Sequence, residues 1–348
     1  MDRGARHLAI ASGMLIDAAA QIADNPLGIE AAAIAAEATG YDGFGVAETR
    51  HDAFVSLALA ARATTSITLQ SGIAVAFARN PMNLAVLAND IQLIAGGRFQ
   101  LGLGSQVRPH IERRFSMQWS HPAARMEEFI AAIRAIWSSW ATGAKLAFRG
   151  EFYQHTLMTD FFNPGPNPHG NPPIFLAAVG QQMTAVAGRV ADGMLCHSFT
   201  TEAYLRERTV PALLSARGDL DGFTLCLPVL AAIGSDPDTL AAAQTAVRAQ
   251  IAFYGSTPAY RPVLDMHGWG ELHERLNQLS RRQEWAEMGT LITDDVLDAF
   301  AVSGSPAHVA ATIKQRFGDV IDRISIYAPY APDPAELRAV TAALRGQQ

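Results

Sequence analysis

The sequence predicts an α/β fold, the TIM (β/α)8 barrel with two insertions, and three observations lead there. Strand-like segments starting near positions 42, 67 and 98 recur about every 25 to 30 residues, the length of one strand–helix unit. Eight such strands are legible along the 348 residues. Helical stretches stand between them, so the strands run parallel with crossovers, which in that number favours a closed barrel over an open sheet. Apolar residues at 49% and charged residues at 17% supply a large core and argue against disorder.

Leu8–Leu15 reads as the first strand. Arg3 and Arg6 ahead of it, with Ala18–Ala20 behind, loosely imitate a secretion signal. Asp17 stands where a cleavage region is neutral, so a buried strand is expected instead. Asp42–Ala47, Ile67–Val75 and Arg98–Leu103 are the next three strands. Before the last of these, Asn80 caps a helix and Pro81 suits its first turn. Leu84, Leu87, Ile91 and Ile94 mark its inward face, and Gly96 and Gly97 stop it.

The later units follow the same grammar. Pro173–Val179 is a strand before a helix from about Gln181 to Val190, and Gly193–His197 a strand before a helix from Glu202 to Ala216. Phe223–Ile233 is the seventh strand, with Asp236 and Pro237 opening its helix. Ser305–Pro306 starts another helix that Gly318 ends, Arg323–Tyr327 is the last strand, and Pro334–Arg345 closes the chain. Two segments exceed the repeat. One, 104–173 after strand four, holds a helix Ala123–Trp140 and a Pro-rich excursion; the other is 250–302 after strand seven. Without a Gly/Ser or Pro-rich linker, residues 1–348 are expected to form one decorated domain.

Several function classes are disfavoured. A net charge of −6 leaves no electrostatic footprint for nucleic acid or an anionic membrane. No run of eighteen apolar residues predicts a transmembrane helix. Two cysteines, Cys196 and Cys226, make no disulfide framework and suit a cytoplasmic location. There is no P-loop, no G-x-S-x-G elbow and no G-x-G-x-x-G after strand one. His51-Asp52 and His110 lack metal-ligand spacing, so no metal is expected.

Function in such a barrel concentrates at the carboxyl ends of the strands. Those ends are rich in glycine and alanine. On strand four Phe99, Leu101 and Leu103 share one face and Gln100, Gly102 and Gly104 the other. A strand face without side chains admits a flat ligand; tight barrel packing uses glycine as well. Gly180, ahead of the helix starting at Gln181, offers backbone N–H groups to an anion. Arg108, His110, Arg113 and Arg114 form either a solvated face or a contact for an anionic ligand tail.

Taken in order, Glu48…His51-Asp52, Ser71-Gly72-Ile73, Asn80-Pro81, Gly97-Arg98-Phe99…Leu101-Gly102-Leu103-Gly104, Ala177-Ala178-Val179-Gly180 and Ala191-Asp192-Gly193 resemble the bacterial-luciferase-like flavin and deazaflavin oxidoreductases. Gln106-Val107-Arg108-Pro109-His110 and Ser256-Thr257-Pro258-Ala259-Tyr260-Arg261 look more like the actinobacterial subgroup assigned to coenzyme F420. The resemblance implies a barrel holding a tricyclic ring in its mouth, over a bulge with a non-prolyl cis peptide. The matching bond is Gly72–Ile73. It also implies that Ser71, Gly102, Gly104, Ser105 and Gln106 line the ring, and that Ala178, Val179, Gly180, Gln181 and His197 hold the ribityl-phosphate region. A homodimer is expected on the same ground.

Glu48 and His51 are the expected proton-handling pair, since histidine titrates near neutrality and a close carboxylate tunes it. His51 has the alternative of capping the following helix. His110, Tyr260, Arg261 and Trp269 are expected to meet the substrate. The pattern departs from its relatives in Glu48-Thr49, where an acid–His pair is common, in Val107, where an acid is common, and in Ser105. In luciferase itself that last position is an arginine near the flavin phosphate, which favours the deazaflavin. The expected activity is therefore F420-dependent hydride transfer to or from a small carbonyl, alcohol or unsaturated substrate. The alternatives are a reduced-FMN monooxygenase and a non-catalytic flavin or deazaflavin carrier.

Overall fold

The computed structural model describes residues 13–20 and 25–346. Eight strands carry the architecture: β1 Leu15–Ala19, β2 Gly43–Val46, β3 Thr68–Ser71, β4 Phe99–Gly104, β5 Ile174–Ala178, β6 Gly193–Cys196, β7 Thr224–Ile233 and β8 Arg323–Tyr327. Hydrogen bonding runs β7-β8-β1-β2-β3-β4-β5-β6 and returns from β6 to β7, which closes an eight-stranded α/β barrel of the TIM type. The pairing is parallel, as in Gly43↔Thr68, Leu69↔Phe99, Leu101↔Ile174 and Cys226↔Arg323.

Within the chain two compact units are distinguishable, one of residues 17–178 with 182–195 and one of 13–16, 179–181 and 196–346. The first contains β2–β5, the helices α1 Ile29–Thr39, α2 Ala53–Ala63, α3 Pro81–Ile94 and α4 Pro122–Thr142, and all but the first residue of α5 Gln181–Val190. Its core is packed from the alternate residues Leu69, Phe99, Leu101 and Leu103 of the strands with Phe54, Leu57, Leu84, Phe129 and Ile133 of the helices, all at most 3% exposed. The second contains β7, β8 and the long insertion after β7. There Val247, Ile251, Leu264, Leu276, Leu297 and Phe300 bury one another, because no single short helix of the insertion hides an apolar face alone.

Local chemistry sets the element ends. Asp52 caps α2 by accepting from the amides of Phe54 and Val55, and Asn80 caps α3 by accepting from Asn83 N. Asp236 and Ser305 open the helices Pro237–Gly255 and Pro306–Phe317 in the same way. Gly96 and Gly97 take the left-handed backbone that ends the first α3-to-β4 turn.

Four expectations change. The first strand begins at Leu15, where it was expected to end, because Asp17–Ala19 pair with Gly43–Gly45; the stretch 8–12 lies outside the described residues. The expected continuous strand Ile67–Val75 breaks at Gly72–Ile73 and resumes as Ala74–Val75 beside Leu103 and Gly104. In α3 the buried face is Leu84, Ala85, Ala88, Ile91 and Gln92, while Ile94 is 43% exposed: the buried row steps by four, three and four from Leu84 through Ala88 and Ile91 to Ala95, and Ile94 falls beside it. An additional strand, Ala301–Gly304, pairs with Leu230–Ile233, since β7 has ten residues and β8 occupies only Cys226–Leu230.

Candidate active site

In the first unit, the ends of β2, β3 and β4 converge on the break after Ser71. The Gly72–Ile73 peptide is cis, as the family resemblance implied. Glu48, two residues past β2, holds this break from both sides. Its amide donates to Ile73 O at 3.1 Å, and its carboxylate accepts from Val75 N at 2.8 Å and from the Arg79 guanidinium at 2.6 Å. Arg79 also reaches Asp52 Oδ2 at 2.6 Å and lies 5.4 Å above the Phe54 ring. The Glu48 and Arg79 side chains are only 8% and 14% exposed, so this is a nearly buried ion pair made at the foot of the bulge.

Glu48 and His51, the expected proton-handling residues, have different surroundings. Glu48 is committed to Arg79 and Val75, and His51 is exposed on the loop, with Asp52 rather than His51 capping α2. Arg79 was missed in the sequence. It follows a short helical turn, Ala76–Ala78, whose geometry turns it back toward β2, and nothing local marks it.

The glycines of β4 divide from that of the bulge. A Cβ on Gly102 would stand 1.9 Å from Ser71 O and 2.9 Å from Leu195 Cδ1, and one on Gly104 would stand 2.7 Å from Ile73 Cδ1. Ser71 is fully buried; its hydroxyl donates to Gly102 O and accepts from Gly102 N, both at 2.9 Å. Gly102, Gly104 and Ser71 are thus engaged in barrel packing, the other use of glycine noted in the sequence. Gly72 is different: it is exposed, and no atom lies within 4 Å of where its Cβ would be. The side-chain-free ledge is Gly72, with Ile73 seated on Gly104 beneath it.

Beyond β4, Ser105 Oγ donates to Gln106 O at 3.1 Å, and Gln106 takes a left-handed backbone with φ 60° while its side chain accepts from Val107 N. His110 is exposed in the turn His110–Arg114, where Arg108 pairs with Glu112 and Arg114 donates to Thr49 O at 2.6 Å. Ala178, ending β5, is buried.

The second unit carries the remaining candidates. Val179 and Gly180 are partly exposed, Gln181 is exposed, and Gly180 has open space where a side chain would stand. His197 follows β6. Its Nδ1 accepts from Phe199 N at 3.0 Å, its Nε2 lies 3.0 Å from the Tyr260 hydroxyl, and its ring stacks on Tyr260 with centroids 4.5 Å apart. Burial pulls the His197 pKa down to about 4 and pushes that of Tyr260 up to about 12, the latter reinforced by Tyr254. His197 is thus held by Phe199 and Tyr260 within this unit. Arg261 is turned outward to Asp265 and Glu274, and Trp269 stacks on His267 at 4.6 Å against the insertion core, so both serve the insertion's own structure.

The family model described as luciferase-like monooxygenase matches residues 12–323. The chain belongs to this family. An uncharacterized protein of Mycobacterium tuberculosis is 50% identical over 92% of this chain and 93% of its own length. A relative named 5,10-methylenetetrahydromethanopterin reductase, from Archaeoglobus fulgidus, is 26% identical over 86% of this chain and 88% of its own. The solved structure of a coenzyme F420 dependent tetrahydromethanopterin reductase from Methanopyrus kandleri superposes with a TM-score of 0.77, covering 97% of this chain and 98% of that one at 20% identity. The family is thus one of enzymes, oxidoreductases and monooxygenases among them. Among the described residues no helix is long and apolar enough to cross a membrane.

Proposed function

We propose that the protein is an F420-dependent oxidoreductase that moves a hydride between the deazaflavin and a small organic substrate. The observation that carries this reading is the ledge at Gly72, exposed and open where a Cβ would stand, and tied down by Glu48, Val75 and Arg79. A flat ring needs a backbone edge that neither projects a side chain nor yields, and this edge meets both conditions. Ser105 and Gln106, at the end of β4, supply hydroxyl, amide and carbonyl groups for the polar rim of such a ring. The bound cofactor supplies a carbon that accepts or gives a hydride; the chain supplies binding, orientation and proton handling. His51, exposed on the loop that Glu48 anchors, is the group proposed to exchange that proton with the substrate.

The deazaflavin is preferred to FMN on two grounds. Ser105 puts no cation where luciferase has an arginine near the flavin phosphate, and a relative 26% identical over 79% of this chain is named a putative coenzyme F420-dependent oxidoreductase. Fluorescence titration of the protein with oxidised F420 and separately with FMN tests the choice. Saturable F420 binding with none for FMN supports it. The reverse result overturns it in favour of a reduced-FMN monooxygenase. F420 binding with no turnover across a carbonyl and alcohol panel would identify a carrier instead. Gly72→Val is expected to keep the fold and weaken F420 binding by about 10-fold or more, the cost of a misfitted contact of roughly 1.4 kcal/mol or above.

A further inference from the structure

We infer that Tyr260 is a substrate-binding hydrogen-bond donor, aimed by His197, and that the substrate oxygen it meets belongs to an uncharged carbonyl or alcohol group. The argument begins with the imidazole. Phe199 N donates to His197 Nδ1 at 3.0 Å, so Nδ1 carries a lone pair and no proton. The proton of a neutral ring then sits on Nε2, and Nε2–H donates to the Tyr260 hydroxyl oxygen 3.0 Å away. With that lone pair used, the phenol has one O–H left to give. Among the described residues it has no acceptor, and Tyr260 is only partly buried. A donor that no residue meets and that solvent can still reach is free to be given to a ligand oxygen, its natural complement.

The surroundings define the class of oxygen. Tyr254 stands edge-on to both His197 and Tyr260, with centroids 4.7 and 5.9 Å away, and its hydroxyl lies 3.3 Å from that of Tyr327. Phe199 packs 5.6 Å from Tyr260 and stacks on Phe300 at 4.3 Å. The cation next in the chain, Arg261, is taken by Asp265 and Glu274. Phenols, phenyl rings and a neutral imidazole solvate a dipolar C=O or C–OH group well. They offer a phosphate or carboxylate no compensating charge. His197 and Tyr327 stand at the carboxyl ends of β6 and β8, the end on which barrels of this kind build their sites.

This assignment rests on the oxidoreductase reading for its biological setting, so its test has an arm that needs no cofactor. Infrared spectra of 13C=O-labelled cyclohexanone bound to the protein are expected to show the carbonyl band displaced to lower wavenumber, and Tyr260→Phe is expected to abolish the displacement. His197→Gln, which keeps an N–H donor, is expected to retain part of it. With reduced F420 supplied, Tyr260→Phe is expected to lower turnover of the ketone by about 10- to 100-fold, the range for losing one hydrogen bond to a reacting oxygen. It should bind F420 within about twofold of the parent. An absent band shift, a shift that survives Tyr260→Phe, or turnover within about twofold of the parent overturns the assignment. Preference for a sugar phosphate over the ketone overturns the substrate class. Failure of the parent protein to bind F420 overturns the cofactor reading alone, and the infrared arm then decides for Tyr260.

Discussion

Glu48 and Arg79 stand 31 residues apart and meet at 2.6 Å, with Asp52 as a third partner. Removing Glu48 leaves Arg79 nearly buried with Asp52 alone, and that carboxylate is the more exposed of the two. Glu48→Ala is therefore expected to destabilise the fold by about 2–3 kcal/mol, below the range for wholly buried pairs, and urea unfolding measures it. At Gly102 the obstruction is a backbone carbonyl that cannot swing aside, so Gly102→Ala is expected to cost about 3 kcal/mol, while Gly72→Ala changes the melting temperature little. His197 responds to pH in a definite direction. Folded, it titrates near 4 rather than 6.5, so the unfolded chain takes up its proton first as the solution acidifies. The stability contributed by the neutral ring is complete above pH 6.5 and drains away as pH falls toward 4. An NMR titration should accordingly find His197 without a proton change between pH 8 and about 5.

Elements are pinned by a few side chains at their ends. The α1 residue Glu37 reaches across to the turn before β3, accepting from Thr65 N and Ile67 N at 2.9 Å, Ser66 N at 2.6 Å and Ser66 Oγ at 2.8 Å. Partial burial works against its charge, but the backbone amides of Ser66 and Ile67, the Ser66 hydroxyl and the Thr65 amide outweigh it and bring its pKa from 4.5 to about 2. Its contribution is complete above pH 4.5 and is lost as pH falls toward 2. Glu37→Gln is expected to lower stability at pH 7 by about 1–2 kcal/mol and to shrink the loss between pH 7 and pH 3, both readable from thermal unfolding. Much at this scale was legible in advance. Asn80, Asp236 and Ser305 cap where a short polar side chain followed by proline says they do, because capping needs only neighbours two or three residues away. The strand Ala301–Gly304 was not legible, since four small residues acquire strand character only from the free edge of β7.

At the scale of the whole molecule, a bound ligand that selects the folded chain raises its melting point. F420 at about 100 times its dissociation constant is expected to add roughly 2.7 kcal/mol, a shift that calorimetry resolves and that Gly72→Val, binding about 10-fold more weakly, should cut to about 1.4 kcal/mol. By itself the sequence determined the barrel and its two insertions, which follow from periodicity and caps acting over a few neighbouring residues. The bulge was implied only by the family resemblance at Ser71-Gly72-Ile73, since the strand pattern alone ran on to Val75. The sequence also marked Glu48, Gly72, His197 and Tyr260 as worth watching. What each does was decided by tertiary structure alone. Only folding brings Arg79 under Glu48, lays the Ser71 carbonyl where Gly102 has no side chain, and sets His197 against a tyrosine 63 residues away. A side chain's role depends on which partner takes its proton or its space, and partners distant in the chain leave no local trace.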